Sequence, residues 1–421
     1  MATLNREEVY EHLKHYSCGQ GENFTLLPEE EKKTVIEEFK AGGEKIPVFI
    51  NEFWTSRQRQ ASSLQEVSYR ACFKPQLPRF FIELLTAKGD KVYDPFSGRG
   101  TTVVEAGLLG RQVISNDINP LSRILSQPRF SVPTLPGIAR RLSEIPLNKD
   151  LKADFDLSMF FYPDTEGEIV SLQRYLQARK EEGLEDHRDS WIRMVATNRL
   201  TGHSPGFFSV YTLPPNQAVS PQRQAKINEK RKQVPPYRDT VKIIMKKTRN
   251  LVKNLSPGEV ENLKKAASTA WFLEKDAGET WEIPGDSVQL TVTSPPFLDV
   301  VQYSKDNWLR CWFNGIDTKE VEKKITMART MEEWSSVMGK AFRELYRITC
   351  AGGWVAFEVG EVRKGTINLE DYVVPLGLKA GFTCRGILIN LQEFTKTSNI
   401  WGVNNNSFGT NTNRIVLFCK D

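Results

Sequence analysis

Two short stretches hold residue types that can do chemistry together. The first is TSPPF at 293–297, placed after an apolar run. Two prolines at a strand end fix φ and stop the hydrogen-bond ladder. Pro295 and Pro296 thus make the turn rigid and leave carbonyls free. The Ser294 hydroxyl and the Pro295 carbonyl can both accept hydrogen bonds from an exocyclic amine, and Phe297 can stack on the base that carries it. An amine held with its lone pair toward a methyl sulfonium is methylated by proximity and alignment alone, without a covalent nucleophile. The competing reading of SPP by itself is an ordinary loop.

The second stretch is DPFSGRGTT at 94–102, between an apolar strand and a helix. Gly98 and Gly100 let the backbone approach a ligand. The helix that follows offers free N–H groups. Asp117 closes the next strand, where a carboxylate can take two hydrogen bonds from ribose hydroxyls. A tight βα turn without a ligand is the alternative. A dinucleotide fingerprint fits poorly, because position 103 is Val where GxGxxG needs its third glycine. An S-adenosylmethionine site needs no pyrophosphate cradle, so two glycines suffice.

These stretches need a scaffold. Over 78–124 the chain alternates: PRFFIELLT as helix, KVYDPF as strand, TVVEAGLLG as helix ending at Gly110, RQVISNDI as strand. That is a βαβ unit, the start of a parallel sheet. From 286 the rhythm returns, with strands in VQLTVTSPPF, GGWVAFEVGEV, GILINLQEF and RIVLFCK and an amphipathic helix in EEWSSVMGKAFRELYRI. Residues 125–280 break it with PTLP, LPP and VPP and with charged helices. The simplest reading is one α/β domain interrupted by an insertion of about 150 residues, long enough to fold as its own unit. Residues 1–70 read as charged and mostly helical. Over 28–40, Pro28 and the acids that follow suit a helix start, and Val35, Ile36 and Phe39 fall at helical spacing.

Of the 421 residues, 39% are hydrophobic and 26% charged, which excludes global disorder. No run approaches the ~18 apolar residues of a membrane span. The polar, acidic start MATLNREEVY does not suit a secretory signal. The six cysteines have no CxxC spacing, which speaks against structural zinc and a disulfide scaffold and for a reducing cytoplasm. His12, His15, His187 and His203 form no ligand set, so no metal is expected.

The net charge of +5 is mild, but its distribution is not. Arg223, Lys226, Lys230, Arg231, Lys232, Lys242, Lys246, Lys247 and Arg249 crowd into 221–254, opposed there by Glu229 and Asp239. They are candidates for phosphate contact; a solvated helix face is the alternative. GHSPGFFSVYTLPPNQ (202–217), with Asn216 and Gln217, reads equally as a loop entering a groove or a packed Ω-loop. The Asn-rich 397–414 is a base-contacting or simply turn-rich connection. Tyr303, Asp306, Asn307 and Trp308 are candidates for a base pocket, although WLRCWF at 308–313 looks like helix core.

Taken together, DPFSGRGTT and TSPPF resemble the cofactor motif and catalytic tetrapeptide of the DNA amino-methyltransferases, the N4-cytosine and N6-adenine group. The resemblance covers about 71–124 and 285–420. It implies an α/β class I methyltransferase (Rossmann-like) fold with a seven-stranded, mostly parallel sheet, here with a helical N-terminal region (1–70) and a large insertion. The catalytic domain would be 71–124 with 285–421, and 125–284 the inserted target-recognition region. S-adenosyl-L-methionine is the implied cofactor. Asp94, Pro95, Phe96, Gly98 and Gly100 would line its methionine half, Ser97 and Thr101 would also bind it, and Asp117 would hold its ribose. ACFKPQLPRFF is similar to a segment preceding this motif in some members, which adds Lys74 and Pro75; GDS at 285–287 adds Asp286 near the adenine. Ser294, Pro295, Pro296 and Phe297 would be the catalytic residues.

In that family [ST]SPP[YF] goes mostly with N4-cytosine and [DN]PP[YFW] mostly with N6-adenine, so TSPPF points to cytosine N4. C5 chemistry needs a thiolate, usually on a Pro-Cys turn, and no cysteine here follows a proline. The implied partners are double-stranded DNA, with the target base flipped out, and a cognate restriction endonuclease. The implied setting is a bacterial or phage-type cytoplasm, at the nucleoid. N6-adenine methylation, RNA base N-methylation and a non-catalytic DNA-binding protein are the rivals.

Overall fold

The computed structural model describes residues 5–17, 33–54, 61–69, 72–213, 218–296, 303–324, 328, 330–359, 361–362, 367–391 and 412–421. Its frame is one nine-stranded sheet. The strands are β1 (Val35–Ala41), β2 (Glu44–Asn51), β3 (Lys91–Asp94), β4 (Gln112–Asn116), β5 (Trp271–Leu273), β6 (Val288–Thr293), β7 (Thr349–Val359), β8 (Thr383–Leu391) and β9 (Thr412–Cys419). Across the sheet they run β1-β2-β8-β9-β7-β6-β3-β4-β5. Neighbours from β7 to β5 are parallel, as are β2 and β8. β9 is antiparallel to both its neighbours, and β1 to β2. The short central strands are buried on both faces, as parallel strands covered by helices must be.

The expected seven strands are present, and an N-terminal hairpin extends them to nine. This corrects the helix predicted over 28–40. Residues 28–32 lie outside the described residues, and 35–41 is a strand. Gly42 and Gly43 both have positive φ, the requirement of a two-residue hairpin turn, and they fold β1 back onto β2. The β-branched Val35 and Ile36 suit a strand, and an available edge at β8 overrides the weak helical spacing. Among the described N-terminal residues the α-helix is Arg6–Lys14, which Asn5 caps in a capping box with Glu8.

A second correction concerns the insertion. Trp271–Leu273, inside the stretch assigned to it, is the edge strand β5, paired with β4. Three residues are too few to show a strand period. Nor does the insertion keep a core of its own. Trp191, Leu172 and Ile244 belong to the same buried cluster as Val104, Leu290 and Leu417. A Cβ on Gly107 would stand 2.6 Å from Phe130 and 3.1 Å from Leu263, so the insertion packs directly on the helix Thr101–Leu108. On the other sheet face, the helices Met331–Ile348 and Glu370–Ala380 bury Trp334, Phe342 and Val373 against Phe357 and Phe418. The result is helix, sheet, helix. Among the described residues no helix is long and apolar enough to cross a membrane, and no three His, Cys, Asp or Glu stand together as a metal site.

Candidate active site

The site lies at the carboxyl ends of β3, β4, β5 and β6, where an open α/β sheet binds ligands. β3 ends at Asp94, and the chain turns through Pro95–Gly100 into the helix Thr101–Leu108. Ser97 N–H donates to the Asn116 carbonyl at 3.0 Å and Gly100 N–H to the Ser97 carbonyl at 2.6 Å, which pins the turn against β4. Thr102 donates to the Val292 carbonyl at 3.0 Å, and Thr293 donates to Asp94 Oδ1 at 2.6 Å. The two motif stretches are therefore bonded to each other at both ends of the turn.

Asp94, Pro95, Phe96, Ser97, Gly98, Thr101, Asp117, Ser294, Pro295 and Pro296 line one cavity of about 1160 Å³, open mouth included. Asp117 accepts from Gly98 N–H at 2.8 Å on one oxygen and from Asn119 N–H at 2.9 Å on the other. Each oxygen keeps a further lone pair. Burial pushes the Asp94 carboxyl up to about 7 and that of Asp117 up to about 6, against the pull of these hydrogen bonds.

Ser294 is half-buried and its hydroxyl bonds the carboxylate of Glu358, which is on β7. Burial pushes Glu358 up to about 7, against bonds from Asn413 and Ser294. The Pro296 carbonyl is occupied: Trp334 Nε1 donates to it at 3.0 Å and holds the turn from the helix Met331–Ile348. Phe297 lies outside the described residues.

Several expected residues stand elsewhere. Gly100 does not line the cavity. Its φ is +77°, and a Cβ there would fall 2.5 Å from that of Ser126, so it serves close packing. Gly98, at φ +53°, does line it and has no neighbour nearer than 3.8 Å to an added Cβ. Lys74 and Pro75 open the helix Gln76–Leu85 outside the lining, and Tyr69, Cys72 and Phe73 just before them face the cavity instead. Asp286 is at the wrong end of the sheet. It precedes β6 rather than following it, its side chain is exposed, and it pairs with Lys420 at 2.7 Å. The acid that does line the cavity is Asp276, just after β5, with Lys275 and Ala277. Missing so short a strand concealed it. Glu358 left one signal, a lone charge in the apolar run GGWVAFEV.

Asp306, Asn307 and Trp308 sit within the helix Tyr303–Phe313 and do not line the cavity; Trp308 Nε1 donates to the Val219 carbonyl at 3.1 Å. The described part of the 202–217 loop is packed, with Phe207, Phe208 and Val210 buried. Asn216, Gln217 and 397–411 lie outside the described residues. In the basic stretch, Arg223, Lys226, Lys230, Arg231, Lys232, Lys242, Lys246 and Arg249 are exposed, but Lys247 is only 9% exposed and leaves the proposed stripe.

The sheet order beyond the hairpin, with a glycine turn after β3 and an acid just past the strand beside it, is that of the class I methyltransferase fold. A family model for DNA methylases matches residues 8–123. The chain is 40% identical over 80 residues to the type II methyltransferase M.MvaI of Kocuria varians, 18% of each chain. It is 22% identical over 316 residues to M.BsoBI of Geobacillus stearothermophilus, 66% of this chain and 58% of that one. It is also 38% identical over 63 residues, 15% of its own length and 18% of the relative's, to the tRNA (guanine(10)-N2)-dimethyltransferase of Methanocaldococcus jannaschii. Over these segments the chain is similar to DNA methylases and type II methyltransferases. It spans 18% to 58% of the length of these relatives.

Proposed function

We propose that the protein moves a methyl group from S-adenosylmethionine to the exocyclic N4 of cytosine in duplex DNA. The observation that carries this reading is one cavity lined by both the Asp94–Thr101 turn and Ser294–Pro296. The cofactor fits the residues present. Asp117 has lone pairs for ribose hydroxyls, Gly98 adds no Cβ, and Val337, Met338 and Ala341 offer an apolar wall. When bound, it supplies a methyl group on a positively charged sulfur.

The chain's own residues do the rest. The Ser294 hydroxyl donates its hydrogen bond to Glu358, so its lone pairs are free to accept from the target amine. Pro295 offers its carbonyl beside it, and Phe297 is assigned the stacking role. On accepting the methyl group the target amine would have one proton to release. Ser294 and Glu358 lead that proton away, into a carboxylate whose affinity near neutrality can hold it. The leading Ser of TSPPF supports cytosine over adenine.

The base is reached by flipping. The exposed cations of 221–254 support a duplex substrate. This reading places the protein in the cytoplasm at the nucleoid. The type II names of two relatives support a cognate endonuclease as partner.

A second reading, N-methylation of an RNA base, is favoured by the match to the tRNA enzyme. Mass spectrometry of nucleosides from cells expressing the protein or its Asp117→Ala variant separates the readings. An N4-methylcytosine peak in DNA that vanishes in the variant is expected. N6-methyladenine would overturn the base, and a modified nucleoside in RNA alone would favour the second reading.

A further inference from the structure

A strap of chain, Leu64–Tyr69, runs from beneath the insertion to the cavity, which Tyr69 lines. Cations from several elements converge on it. Arg129 Nη1 donates to the Leu64 carbonyl at 3.3 Å and Arg99 Nη1 to that of Val67 at 2.8 Å. Arg310 Nη2 donates to the Ser68 carbonyl at 3.2 Å, joined there by Asn198 Nδ2 at 2.9 Å. Lys247 stands 3.5 Å from Glu66.

Two of these, Arg310 and Lys247, form with the neighbouring Arg199 a group without adequate counter-charge. Arg199 and Arg310 are 9% and 4% exposed, and Lys247 is as buried as Arg199. Among the described residues Arg199 donates only to Asn198, through its carbonyl and its side-chain oxygen, and its guanidinium lies 3.9 Å from the Phe207 ring centroid. Arg310 donates to Asn307 and Ser68 and lies over Tyr69. Neither forms an ion pair with a described carboxylate. Asp306 attracts Arg310 at longer range, and the half-exposed Glu66 is the carboxylate beside Lys247. Arg199 is meanwhile repelled by Arg310, and Lys247 by Arg199. Burial and this repulsion lower the proton affinity of Lys247 to about 8 and that of Arg199 to about 10. Buried charges are ordinarily paired, because desolvation is costly otherwise. Each guanidinium also keeps N–H groups beyond those in use.

We propose that Arg199, Arg310 and Lys247 form an oxyanion-binding cluster that takes a phosphodiester of the target strand beside the flipped base. The proposal rests on the duplex-DNA reading above. Its position argues for the nucleic acid rather than for the cofactor's carboxylate. Arg310 lies on the helix that follows the catalytic turn, and none of the three lines the cofactor cavity, whose wall here is Tyr69.

The test is duplex binding by the full chain across a salt series, for the wild type and for Arg199→Gln, Arg310→Gln and Lys247→Gln, with Arg199→Lys and Arg310→Lys as charge-keeping variants. S-adenosylmethionine affinity and the melting temperature are measured on each. Each Gln variant is expected to weaken duplex binding by about tenfold at 0.1 M salt and to reduce the slope of log K against log salt by about 0.9, the value for one phosphate contact. The Lys variants should keep the slope, and cofactor affinity should not move. Lys247→Gln reads the cluster even if Gln at 199 or 310 prevents folding, because Lys247 holds no backbone carbonyl of the strap. Unchanged slopes in folded Gln variants overturn the proposal. So does weakened cofactor binding with an unchanged slope, which would assign the cluster to the cofactor's carboxylate. A wild type that binds RNA but no duplex overturns the substrate reading itself.

Discussion

Thr293 and Asp94, 199 residues apart in the chain, share a 2.6 Å hydrogen bond beneath the candidate active site. Each ends one of two neighbouring strands, and each opens one of the two motif turns. The bond sets the spacing between the cofactor turn and Ser294. Thr293→Val keeps the shape and removes the donor, which leaves a buried carboxylate oxygen short of a partner. The expected loss is about 1–3 kcal/mol in denaturant unfolding, with weaker cofactor binding, and Thr293→Ser should restore most of both. Stability within about 0.5 kcal/mol of wild type would show the bond to be incidental.

Four buried carboxyls give a pH signature. Burial raises Asp94, Glu105 and Glu358 to about 7 and Asp117 to about 6, from ordinary values of 3.8 for Asp and 4.5 for Glu. Between the ordinary and raised values the folded chain holds protons that the unfolded chain has released. Stability must therefore fall as pH rises from about 4 to about 7. Melting of the cofactor-free protein should show this decline, and Glu358→Gln should make it shallower. A rise in stability over that window would contradict the burial of these groups.

Ser294→Ala should lower kcat by about 100-fold while cofactor affinity changes by less than about twofold, since the hydroxyl acts on the amine. Glu358→Gln should flatten the acid limb of the pH–rate profile near 7, because the carboxylate then no longer titrates. Single-turnover rates across pH 5.5–8.5 provide the check. An acid limb retained in Glu358→Gln would assign it to another group.

Gly98 and Gly100 should part company on substitution. Gly100→Ala meets Ser126 at 2.5 Å and should cost several kcal/mol or prevent folding. Ser126→Gly removes the atom it meets and should recover part of the loss. Gly98→Ala has room, so its cost should stay near the ~1 kcal/mol of a strained φ. Its effect should be seen in cofactor affinity instead. Equal melting temperatures for the two alanine variants would refute the assignment of Gly100 to packing.

Legibility followed the strength of local patterns. The βαβ unit around Asp94 and Asp117 was readable because glycines, strand alternation and helix periodicity all agreed. The catalytic turn was readable because proline imposes its geometry locally. Asp276 was hidden by a strand of three residues, and Glu358 reaches Ser294 only through the pairing of β6 with β7. The hairpin is hidden in the sequence because Val35, Ile36 and Phe39 satisfy a helical period, while their actual partner is strand β2 beyond a glycine pair. Lys247 shows the same limit for charge. A run of cations can be counted in sequence, but which of them the fold buries depends on helix facing.

The parallel pairing of β2 with β8 also has a temporal side. Ile50 lies opposite Ile389, and Phe53 N–H donates to the Asn390 side chain at 2.7 Å. During synthesis the early hairpin emerges some 330 residues ahead of the strand that receives it, about 15 to 70 seconds at ordinary elongation rates. Throughout that interval β2 carries an unpaired edge. The exposed Glu37, Glu38 and Lys40 on β1 and the proline at 47 are the features that discourage it from joining another chain while it waits.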